Sequence, residues 1–165
     1  MKKSYLFVVA FAMTVISSTS GAMAANCELP ENASELIAMT GQLMNAERSK
    51  NGRKALRPDP RLQAAAQAHA CDMSVKGYFA HRGQNGSKPK RRLQAQGCRA
   101  GLVAENIAIG RTDPQQTMNE WMASPGHRKN ILIGRGATQY GIGIAKAGRA
   151  YSHGYVWVMV LSRGC

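Results

Sequence analysis

His81, Glu105, Glu120 and His127 are the residues of this chain whose types could do chemistry together, two imidazoles and two carboxylates. Each sits in a distinctive local pattern: Gly-Tyr-Phe-Ala-His81, Ala-Glu105-Asn-Ile-Ala, and Glu120-Trp-Met-Ala-Ser-Pro-Gly-His127-Arg-Lys-Asn-Ile-Leu. Imidazole and carboxylate can ligate a divalent metal, pass protons or hydrogen-bond each other, and residue types alone do not rank the three. Ser124 beside His127 is explained as a turn residue of Ser-Pro-Gly and needs no nucleophilic role. His69 falls on an apolar helical stripe and reads as a satisfied core histidine, His153 matches no motif, and Trp121 reads as core.

The elements that must position these groups are legible from periodicity and punctuation. Leu36, Thr40, Leu43, Met44 and Glu47 recur at helical spacing from Ser34 to Lys50, with Ser34 as the expected cap. Asp59-Pro60 is an N-cap followed by proline at the first helical position, and Leu62, Ala65, Ala66, His69 and Met73 form one stripe up to Gly77. A short basic helix ending at Gly97 follows a Gly- and Pro-containing segment. Leu102 to Ile109 predicts a strand, Asp113-Pro114 caps a further helix, and Ser124-Pro-Gly126 breaks it so that His127 opens another turn. Tyr140, Ile142 and Ile144 alternate with Gly141 and Gly143, a strand with one bare face. Tyr151 to Leu161 predicts a central strand, joined to it antiparallel through a Gly148-Arg149 turn. Helices before and between strands with a closing hairpin make an α+β domain whose helices cover both sheet faces.

Lys2-Lys3, an apolar run from Leu6 to Ile16 and Ala22-Met-Ala-Ala25 have the order of a cleaved secretory signal over residues 1–25, leaving one domain over residues 26–165. The expected location is periplasmic or secreted, with no transmembrane segment in the mature form. Four cysteines in an exported chain predict two disulfides among three pairings. Cys71 with Cys98 is favoured, tying the second helix to the loop before Glu105, and Cys27 with Cys165, joining the ends. The net charge is +13, and removing Lys2 and Lys3 leaves 20 basic against 9 acidic residues, +11. Such an excess favours polyanions. Lys88, Lys90, Arg91 and Arg92 concentrate it, and the run reads either as a solvated helix face or as a docking patch for anionic lipid, lipopolysaccharide or an acidic envelope polymer. Nucleic acid is disfavoured, because no aromatic residues interleave with these cations.

The thirteen-residue pattern around His127, with Leu43-Met-Asn-Ala-Glu-Arg48 and Asp59-Pro-Arg-Leu-Gln-Ala-Ala-Ala, resembles the CAP superfamily of cysteine-rich secretory, antigen 5 and pathogenesis-related class 1 proteins in its short bacterial form. The resemblance runs from about Leu36 to Leu161, with Ala104 where the family usually has glycine. It implies a three-layer α-β-α sandwich with a largely antiparallel central sheet. It also implies one open cleft lined by His81, Glu105, Glu120 and His127, in which the two histidines hold zinc or another divalent ion weakly. Glu105, Glu120 and Asn106 would orient them, and no organic cofactor is implied. The leading function is an exported binding module for a lipid, membrane or envelope ligand. The alternative is a metal-dependent hydrolase or protease with Glu105 or Glu120 as general base, against which stands the absence of a His-Glu-x-x-His pattern. A third reading is a structural envelope protein held by charge, for which the basic run would matter more than the four cleft residues.

Overall fold

The computed structural model describes residues 27–134, 136–151 and 153–165. The export signal expected over 1–25 lies outside them. Five helices and four strands follow in the order α1 (Ala33–Lys50), β1 (Arg57–Pro58), α2 (Pro60–Lys76), α3 (Pro89–Ala95), β2 (Leu102–Ile109), α4 (Pro114–Ala123), α5 (Pro125–Ile131), β3 (Gln139–Lys146) and β4 (Tyr155–Arg163). Among the described residues no helix is long and apolar enough to cross a membrane.

The sheet has the order β1-β3-β4-β2, antiparallel except where β1 joins β3. Alternation along β4 divides the interior into two cores. Trp157, Met159 and Leu161 pack with residues of α1, α4 and α5, while Val156, Val158 and Val160 pack with α2 and α3 on the opposite face. The α+β sandwich expected from the sequence is therefore the observed architecture.

The bare face of β3 has a steric purpose. A Cβ on Gly141 would overlap the Leu62–Gln63 backbone, and one on Gly143 would overlap Ala66 and Gln67, so α2 lies directly on the strand. The Gln67 side chain then donates to the Ile144 carbonyl (2.7 Å) and accepts from the Ile144 amide (3.1 Å), satisfying the strand where β1 no longer reaches. Asp59 caps α2 by accepting from the amides of Arg61 and Leu62, and Gly77 ends it at φ +65°.

Three local expectations are corrected, and one short strand went unread. Helix α1 begins after Asn32, where a turn from Pro30 starts it, so Ser34 lies inside the first turn and caps nothing. Its buried face carries Arg48 in place of Glu47, and the Arg48 guanidinium donates to the carbonyls of Lys54 (2.9 Å), Ile131 (2.6 Å) and Ile133 (3.1 Å). Strand β4 starts at Tyr155 rather than Tyr151, because the connection after β3 closes with Ala147 donating to the Gly154 carbonyl. The two-residue β1 carries no alternation to read, and Pro58 within it is tolerated at a sheet edge.

The disulfide pairing is also corrected. Cys27 joins Cys71 and Cys98 joins Cys165, at Cα separations of 5.3 and 4.9 Å, in place of Cys71 with Cys98 and Cys27 with Cys165. The cause is strand order. The β2–β4 ladder sets Leu102 opposite Arg163, which brings Cys98 beside the chain end. The residues after Cys27 run along β3, across β4 from β2 on the same sheet face, where the Glu28 carbonyl accepts from the Lys146 amide next to α2.

Candidate functional site

Strand β2 is a sheet edge, and it carries Glu105 and Asn106, to which His81 and the backbone of His127 are bonded. Successive side chains of a strand point to opposite faces, so Glu105 and Asn106 engage different layers. Glu105 turns toward α2 and α3 with its side chain only 2% exposed, accepting from Nδ1 of His81 (2.9 Å) at Oε1 and from Nη2 of Arg92 (2.5 Å) at Oε2. A carboxylate paired with arginine is an acceptor only, so the His81 Nδ1 carries the hydrogen and Nε2 is free. The His81 side chain is 53% exposed, and its ring is held in one orientation with one nitrogen open to solvent.

The segment bearing His81 is gripped from below. His69, buried in α2, lies with Nε2 2.9 Å from the Ala80 carbonyl, to which it donates. Burial first, and the nearby Arg92 charge second, push the His69 pKa below its ordinary value and keep the ring neutral. The core role expected of His69 holds, and that core contact carries the residue next to His81.

On the opposite layer, Asn106 is fully buried and donates to the His127 carbonyl (3.1 Å). Asn130, three residues further along α5, donates to the Glu105 carbonyl (3.1 Å) and to Oδ1 of Asn106 (2.9 Å), capping the outer edge of β2. Trp121 of α4 likewise donates to the Ile107 carbonyl (3.2 Å) from within the core. These bonds press α5 onto the strand and leave His127 half-buried. Burial, and then the nearby His81, push the His127 pKa below its ordinary value.

Glu120 stands apart from this group. Its carboxylate takes the Arg111 guanidinium, and both side chains are about half exposed, 44% and 52%. Among the described residues no three His, Cys, Asp or Glu side chains converge on a metal-holding point. One imidazole oriented by a carboxylate and a second, half-buried one on α5 do not fit a closed structural metal site, which needs four protein ligands.

Two residues of the site escaped the sequence reading. Arg92, assigned above to the basic patch, is only 11% exposed and spends its charge on Glu105, whereas Lys88, Lys90 and Arg91 are exposed. Nothing in a run of four cations distinguishes the one that turns inward. Asn130 was available as the polar residue one helical turn after His127, within the same thirteen-residue pattern. Ala104, where glycine is usual in the family, is an ordinary strand residue, and among the described residues no non-glycine has positive φ.

The model of the cysteine-rich secretory protein family, CAP, matches residues 42–161. The uncharacterized protein YkwD of Bacillus subtilis is 34% identical over 127 residues, which cover 77% of this chain and 49% of the relative. The chain thus spans about half the length of that curated relative. Among solved structures, an extracellular protein of Bacillus anthracis containing an SCP domain superposes with a TM-score of 0.71 at 26% identity, over 82% of this chain and 44% of that one. An outer surface protein of Borrelia burgdorferi gives a TM-score of 0.72 at 18% identity, over 84% and 99%, a likeness of fold alone. Sandwich, sequence match and relatives agree: the chain belongs to the CAP family of cysteine-rich secretory proteins.

Proposed function

We propose that this chain is an exported CAP-domain binding module of the cell envelope or extracellular space, docking on anionic lipid, lipopolysaccharide or an acidic envelope polymer and carrying a weak divalent-cation site, zinc foremost, at His81 and His127. The observation that carries the docking surface is the segment 82–104, which holds six basic residues and no carboxylate. Of these, Lys88, Lys90 and Arg91 on and before α3 are exposed, as is Arg99 beyond it, while Arg92 is consumed by Glu105. Export is supported by two disulfides, which persist in oxidising compartments, and by structural relatives described as extracellular or outer-surface proteins. A binding role is favoured over hydrolysis because each candidate general base, Glu105 and Glu120, is already held by an arginine.

Co-sedimentation with anionic vesicles at low salt tests the surface. Changing Lys88, Lys90 and Arg91 together to Gln is expected to abolish most binding, and wild-type binding should weaken steeply toward physiological salt as exposed charges are screened beyond ~10 Å at 0.1 M. Unchanged sedimentation of the triple variant sinks the docking reading. Zinc calorimetry on wild type, His81→Ala and His127→Ala tests the cleft, and equal affinity in all three removes the cation from it.

A further inference from the structure

We infer that Arg92 is a positioning residue of the cleft, a clip that closes the His81 loop and sets which ring nitrogen of His81 faces solvent. The inference rests on the geometry of three acceptors shared between two nitrogens of one guanidinium. Nη1 donates to the His81 carbonyl (3.1 Å) and to the Ser87 carbonyl (3.0 Å), so it bridges the two ends of the loop 81–87. Nη2 donates to Oε2 of Glu105 (2.5 Å), whose other oxygen receives Nδ1 of His81. Backbone and ring of His81 are therefore both tied, directly or through Glu105, to the same side chain.

The consequence is chemical. An imidazole free in water favours the tautomer with hydrogen on Nε2, whereas an acceptor fixed at Nδ1 selects the opposite one. Arg92 holds Glu105 in the position that accepts this hydrogen, and so leaves the Nε2 lone pair pointing outward at a half-exposed ring. Within the loop, the Gly83 amide donates to the Ser87 carbonyl and the Gly86 amide to the Gly83 carbonyl, a tight turn with no contact of its own to β2 among these bonds. The loop reaches β2 through the His81 ring on Glu105, and Arg92 fixes both ends of that reach, the loop carbonyls on one side and the carboxylate on the other. A lysine cannot reproduce it, because one ammonium cannot lie at once against a carboxylate and two carbonyls reached by different guanidinium nitrogens.

The test is the ring 15N spectrum of histidine-labelled protein at about pH 8, where imidazole is neutral, for wild type, Arg92→Lys and Arg92→Gln, with Arg149→Gln as a charge-loss control in the β3–β4 connection. Wild type and the control are expected to show His81 with hydrogen on Nδ1. Both Arg92 variants should move toward the Nε2–H form, and their zinc affinity should fall by about tenfold or more, as for other residues that orient a metal-binding histidine. Wild-type ring shifts in a folded Arg92→Gln protein overturn the inference. If that variant does not fold, wild-type shifts in Arg92→Lys overturn it equally. The zinc readout depends on the cation reading of the cleft and the tautomer readout does not. A wild type that binds no zinc while the ring shifts still separate the variants would remove the cation and leave the role of Arg92 supported.

Discussion

Two glutamates that look equivalent in the chain differ physically in the fold. Glu105 is buried between Arg92 and His81, and Glu120 shares an exposed pair with Arg111. Removing one partner of a buried pair leaves an uncompensated charge and costs about 3–5 kcal/mol, whereas an exposed pair contributes about 0–1 kcal/mol. Urea unfolding of Glu105→Gln is expected to show the large loss and Glu120→Gln the small one. Similar losses in the two would contradict the burial assigned to Glu105. A second expectation at this scale concerns acid. The unfolded chain takes up protons on histidine near pH 6.5, which buried His69 and half-buried His127 resist because their folded pKa values are lowered. More protons bound by the unfolded state means that stability is fully present above that pH and declines as pH falls below it. His69 also faces Arg92, Glu105 and Asp72, of which Arg92 weighs most after burial. His69→Gln should flatten the fall in urea midpoint between pH 7 and 5.5, and an unchanged slope would show that His69 already titrates normally.

At the scale of elements, the closest packing is between α2 and β3, and glycine makes it. Gly143→Ala is expected to lower stability by about 1–3 kcal/mol or more, since the added methyl meets helix backbone that cannot rotate away. Gly126→Ala, with open space around its Cβ position and an ordinary φ, should be close to neutral. Thermal melts of the two variants separate the cases, and comparable melting points would mean that α2 can slide off the strand. The same alternation was readable beforehand, because Tyr140, Ile142 and Ile144 against Gly141 and Gly143 announce a strand with one face reserved. The helix that fills this face was not readable, since the α2 stripe and the glycine stripe are separated by more than sixty residues of chain.

For the whole molecule, the disulfides record the topology. Peptide mapping without reduction is expected to yield Cys27–Cys71 and Cys98–Cys165 and no free thiol among these four. A peptide joining Cys71 to Cys98 would contradict the strand order, which sets Cys98 beside the chain end and Cys71 beside the N-terminal segment. The loops closed span 44 and 67 residues, each worth about 4 kcal/mol in the chain-entropy model. Serine replacement of either pair should therefore lower the urea midpoint clearly.

Local rules were enough to specify much of this protein. Asp59-Pro60 and Asp113-Pro114 start helices where the chain says they do, Gly77 ends one, and β2 spans Leu102 to Ile109 as expected. Those signals are short-range, since capping and alternation act within a few residues. The family pattern around His127 likewise announced the fold. Tertiary structure alone decided which cation of Lys88, Lys90, Arg91 and Arg92 turns inward, which glutamate is buried, and which cysteines meet. The cysteine pairing depends on which side of β4 a segment reaches, and the inward cation depends on which face α3 turns to Glu105 of β2. The β3–β4 hairpin was legible from its turn, but the strand order is completed by the β2–β4 ladder, whose partners lie far apart in the chain and leave no local trace in the sequence.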